Sequence, residues 1–100
     1  MARLIWSPEA ADDLERICAH IASDAGEYAR LFAQEIIALI SELEKHPRIG
    51  RVVPEYGEEN IRERIYQNYR IVYELRGNRI EIVSILHGAR DLKNIPRANF

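Results

Sequence analysis

Arginine and histidine side chains supply fixed positive charge and a transferable proton, and in this chain Arg70 and His87 fall where strand pairing could bring them together. Two runs rich in Ile, Val and Tyr, Tyr69 to Arg76 and Arg79 to His87, are separated by Gly77 and Asn78, a two-residue loop suited to a tight primed turn. With Arg76 opposite Arg79, the register predicts Leu75 against Ile80, Tyr73 against Ile82, Ile71 against Ser84 and Tyr69 against Leu86 on a core face. The other face then carries Arg70, Val72, Glu74 and Arg76 against His87, Ile85, Val83, Glu81 and Arg79. Arg70 lies diagonal to His87 in that register, about 7 to 8 Å away and within reach of a long side chain.

A preceding strand, Ile61 to Tyr66, bears on the same face. A two-residue turn at Gln67-Asn68 would send Arg64 into the core beside Ile71, whereas a three-residue turn over Tyr66 to Asn68 puts Arg62 and Arg64 beside Arg70 and His87. Four basic or titratable groups would converge there. Glu74 and Glu81, directly opposite each other near the hairpin tip, read as a self-compensating quartet with Arg76 and Arg79.

The elements that position these residues emerge from periodicity and punctuation. Leu4 to Trp6 is a short apolar strand before Ser7-Pro8-Glu9, which supplies an N-cap serine, proline at the first helical position and an acid in the first turn. Leu14, Ile17, Cys18 and Ile21 stripe that helix, and Asp24 to Gly26 break it. A second helix is expected from about Glu27 to Lys45, with Tyr28, Leu31, Phe32, Ile36, Leu39, Ile40 and Leu43 inward, ending before Pro47. Residues 47–60 hold two prolines and two glycines and read as a long loop, and residues 88–100 as an extended tail. The prediction is a single α+β domain over residues 1–100, in β-α-α-β-β-β order, with an antiparallel helical hairpin on one face of a largely antiparallel sheet.

Composition narrows the class. The 100 residues are 47% hydrophobic and 30% charged, ordinary for one globular domain. No apolar run approaches the roughly 18 residues of a membrane span, and MARLIW lacks a secretory h-region, so a cytoplasmic protein is expected. The net charge of −2 is unevenly divided: residues 1–60 carry 6 basic and 12 acidic side chains, residues 61–100 carry 8 and 4. A basic sheet half suggests a surface for an anionic partner. Cys18 falls on the helical stripe and reads as a small core hydrophobe. His20, His46 and His87 lie on different elements without metal-ligand spacing, and no nucleotide loop or nucleophile elbow is present, so neither metal nor cofactor is expected.

WSPEA opening the first helix, NYRIVYEL on a central strand and EIVSILHGARD at the end together resemble the RelE/ParE superfamily of bacterial type II toxins, over nearly the whole chain. The resemblance implies one of two activities. RelE-like members cut mRNA on the ribosome; ParE-like members bind DNA gyrase and turn it into a DNA-damaging complex. Cutting RNA needs cations and a general acid or base, roles for which Arg62, Arg64, Arg70 and His87 are the candidates. The family's ribonucleases usually add a C-terminal tyrosine or several lysines; here Gly88-Ala89 comes after His87, the only lysines are Lys45 and Lys93, and the pI is about 5.9. The resemblance therefore implies a ParE-like toxin neutralised by a ParD-like antitoxin; the partner contacts do not come from the resemblance, and Arg62, Arg64, Arg70 and His87 are expected in that role from their shared sheet face and Arg90 from the basic tail. The alternatives are the ribonuclease and an inactive member that only binds its antitoxin. For Arg70 and His87 there is also a plainer reading: Arg70 as an ion-pair partner of Glu63 or Glu55, and His87 as a strand-end cap.

Overall fold

The computed structural model describes residues 2–88. The elements are β1 (Arg3–Trp6), α1 (Pro8–Ala22), α2 (Gly26–Ser41) with a 3-10 turn at Glu42–Glu44, β2 (Arg51–Val52), β3 (Ile61–Tyr66), β4 (Tyr69–Arg76) and β5 (Arg79–His87). The sheet order is β1-β5-β4-β3-β2, antiparallel throughout except where β1 runs parallel to β5. The expected α+β order holds, with one addition: the short strand β2 forms within the segment read as loop.

Ser7 fixes where α1 begins. Its Oγ accepts from the Ala10 amide at 3.0 Å and donates to the Val83 carbonyl at 2.9 Å, so one hydroxyl caps the helix and ties it to β5. Phe32, Ile36, Ile40 and Leu43 from α2 and its 3-10 extension, Ala10 and Ile17 from α1, and Ile71, Tyr73, Ile80, Ile82 and Ile85 from the sheet form the main core. Tyr28 and Leu31, expected inward, are 42% and 46% exposed. The inward arc of α2 is centred on Phe32, Ile36 and Ile40, so both residues fall on its flank.

The opposite sheet face is also buried in part. Val53, Ile61, Val72, Val83 and Leu86, with Tyr56 against them, form a second cluster on the side away from the helices. Tyr73 anchors the segment leading to that cluster, donating to the Pro47 carbonyl at 2.8 Å and accepting from the Gly50 amide at 2.9 Å. A Cβ at Gly50 would stand 2.6 Å from both the Glu63 carbonyl oxygen and the Tyr73 hydroxyl, so this approach requires glycine.

Candidate functional site

The hairpin turn forms as expected, with Arg76 opposite Arg79 and Gly77 at φ +57, the positive angle that glycine adopts without strain. The register then departs from expectation. Leu75, Glu74 and Tyr73 pair with Ile80, Glu81 and Ile82, but a bulge intervenes, and Val72, Ile71, Arg70 and Tyr69 pair with Ser84, Ile85, Leu86 and His87. One extra residue in β5 reverses the facing of every residue beyond it. Asp13 on α1 holds the bulge, its Oδ2 accepting from the Ile85 amide at 2.9 Å and the Ser84 hydroxyl at 3.0 Å.

This shift overturns the expected pairing of Arg70 with His87. Tyr69 and His87 stand together on the helix side, their rings edge-to-face with centroids 5.7 Å apart, while Arg70 points to the other face. Both still border an open depression of about 620 Å³ beyond the strand ends, together with Arg51 and Glu55. They reach it from opposite sides of the sheet.

Arg62 and Arg64 are corrected as well. The β3–β4 turn has two residues, with Tyr66 opposite Tyr69 and Gln67 at φ +53, so Arg64 does lie opposite Ile71 on the helix side. The guanidinium escapes the core at the end of α2, where Nη1 donates to the Leu39 carbonyl at 3.0 Å and pairs with Glu42 at 3.1 Å. A cation at a helix C-terminus satisfies free carbonyls and opposes the helix dipole. Arg62 donates to the carbonyls of Glu59 and Gly50, both at 2.9 Å, and to the Glu59 carboxylate at 2.8 Å. Neither joins Arg70.

Arg70 is instead the centre of a charge network, as the ion-pair reading anticipated. Its Nε donates to Glu63 at 2.6 Å, and its two terminal nitrogens clasp the Glu55 carboxylate at 2.7 and 2.8 Å. Arg51 reaches the second Glu63 oxygen at 2.7 Å. The Glu63 side chain is fully buried and that of Arg70 nearly so. Hydrogen bonds from Arg70 hold the Glu55 carboxyl well below the usual range, at about 2, and the same contacts raise the guanidinium. The network balances two carboxylates with two guanidiniums and pins the 53–60 segment over the second cluster.

Arg90, the remaining expected contact, and the tail it belongs to lie outside the described residues. Among the described residues no group of three or more His, Cys, Asp or Glu side chains could hold a metal ion, and no helix is long and apolar enough to cross a membrane.

The architecture defines a small α+β protein in which a helical hairpin and an N-terminal strand are laid against an antiparallel meander. The family model described as the ParE toxin of the type II toxin-antitoxin system parDE matches residues 4–92, and the chain belongs to that family. No curated protein matches it. Among solved structures it is similar to a chain of the chromosomal ParDE toxin-antitoxin system from P. aeruginosa, at 24% identity and a TM-score of 0.73, covering 87% of this chain and 96% of that one. That likeness concerns the fold.

Proposed function

We propose that this ParE-family toxin acts as a cytoplasmic inhibitor of DNA gyrase, held inactive in a complex with a ParD-like antitoxin. The observation that carries the reading is the dispersal of Arg62, Arg64, Arg70 and His87. Cutting RNA calls for cations and a proton-transfer group converging on one phosphate. Here Arg70 is committed to two carboxylates, Arg62 and Arg64 are bonded to backbone carbonyls, and His87 lies across the sheet from Arg70. A toxin that works by gripping another protein needs no such convergence. Arg51, with a side chain 60% exposed beside the depression, is better placed than Arg70 to make a contact there.

Pulse-labelling of DNA and protein synthesis within minutes of inducing the chain without its antitoxin tests the reading. DNA synthesis is expected to stop while translation continues, with purified toxin trapping gyrase on cleaved DNA. An early stop in translation would establish the mRNA endoribonuclease instead. Normal growth with the folded chain present would leave only antitoxin binding.

A further inference from the structure

The two sheet edges differ in what they leave open. Backbone pairing fixes which groups point outward: the amide of Arg3 bonds the Asn78 carbonyl and that of Ser7 the Ile82 carbonyl, so the odd-numbered residues of β1 face β5. Leu4 and Trp6 therefore turn their N–H and C=O groups away from the sheet, and among the described residues nothing pairs with them. At Ala2 the edge is closed by a bond to the Glu44 carbonyl, 3.1 Å. On the far edge β2 already covers β3 at Glu63 and Arg62, leaving Ile65 as the one outward-facing position beyond it in that strand. Among the described residues the longer vacancy is on β1.

The open face beside that vacancy carries an unusual row. Arg3 is in register with Arg79, and Arg79 with Arg76, which aligns three guanidinium side chains across adjacent strands about 4.8 Å apart. Like charges directly opposite oppose folding. Two rows further on stand Ile5, Glu81 and Glu74, and Glu74 is paired with Arg76. Arg3 and Arg79 are exposed, and neither guanidinium has a hydrogen bond or ion pair among the described residues. The row ends at β1 with positive charge to spare.

We propose that β1 receives an extended segment of the antitoxin as a sixth strand, with an acidic residue set opposite Arg3 and apolar residues opposite Leu4 and Trp6. Backbone bonds to Leu4 and Trp6 give such a strand its affinity, and alternate side chains give it specificity. Its acidic residue extends the arginine row and neutralises the excess charge, while its apolar residues continue the helix-side core, against which Leu4 and Trp6 pack. The assignment rests on the toxin-antitoxin reading and adds to it the edge, the register and the charge pattern.

Hydrogen exchange on the full toxin, alone and bound to the full-length cognate antitoxin, tests the proposal. The Leu4 and Trp6 amides should become protected only in the complex. The charge-reversed toxin R3E/R79E should bind about tenfold or more weakly, and L31K, on the exposed flank of α2, should bind as the unchanged toxin does. A complex that forms with Leu4 and Trp6 still exchanging freely, or with R3E/R79E binding undiminished, would overturn the proposal while leaving the toxin-antitoxin reading intact. Protection that rises with toxin concentration in the absence of antitoxin would make the occupant a second copy, and would overturn it too. Absence of any complex would remove the partner reading and the proposal with it.

Discussion

Arg70 shows how a candidate contact residue can be a structural one. Its three side-chain hydrogen bonds described above all go to carboxylates, and the Glu63 side chain is fully buried, so removing Arg70 leaves that charge with Arg51 alone. Arg70→Ala is therefore expected to cost about 3–5 kcal/mol, the range for breaking a buried ion pair. Loss of toxicity in that variant would report unfolding. Chemical denaturation separates the cases: Arg70→Met with Glu63→Leu should recover most of what Arg70→Met alone loses, because no buried charge is then left stranded. Glu55 adds a pH dependence. Its carboxyl titrates near 2 in the folded protein against an ordinary 4.5, so its contribution is complete above about pH 4.5 and fades as pH falls toward 2. Thermal melts should show a drop over that window, and Glu55→Gln should flatten it.

At the scale of elements, two bends that the sequence did not disclose decide where the basic residues go. Ser7, Pro8, the break near Gly26 and the Gly77 turn are local signals, written in residues a few positions apart, and all are legible in the chain itself. The β5 bulge depends on Asp13, some seventy positions earlier, and EIVSIL is equally apolar in either register. Asp13→Ala should expose this dependence, leaving the Ile85 amide and Ser84 hydroxyl without an acceptor and costing about 1–3 kcal/mol, measured by urea unfolding. The turn at Gln67-Asn68 departs from expectation for a different reason. Arg64 is long enough to lie on a core face and still deliver its charge to the end of α2. The ion pairs of Arg70 can be read from residue types alone, whereas the facing of Arg62, Arg64 and His87 requires the register.

For the molecule as a whole, the sheet separates two cores of unequal size. The helix-side core is built from α1, α2 and the strands they cover, whereas the second cluster is closed by Val53 and Tyr56 on a segment held by Glu55 and Arg70. Acid should act on the second first. Between pH 4.5 and 2, protection from hydrogen exchange, taken relative to the intrinsic rate at each pH, is expected to fall at Val53 and Gly57 before it does in α2, as the carboxylate clasp is protonated. Equal rates of loss on both faces would mean that the sheet melts as one unit. The division also accounts for the uneven charge along the chain, since the basic residues from Arg62 to Arg76 neutralise nearby acids and do not form an open basic surface.

The parallel pairing of β1 with β5 sets a timetable for the protein's own synthesis. Every backbone bond that β1 makes to the sheet is with the hairpin turn or β5, the last described strand, and the serine that starts α1 is tied to Val83. On the ribosome β1 has no sheet partner among the described residues until β5 has emerged, because a closure spanning that length cannot form earlier. The fold is thus completed only once β5 is available, and chains cut short before β5 should accumulate without the completed sheet. For as long as β1 waits, the edge proposed to receive the antitoxin is not yet part of a sheet, so an antitoxin strand can add there only after β5 has been made.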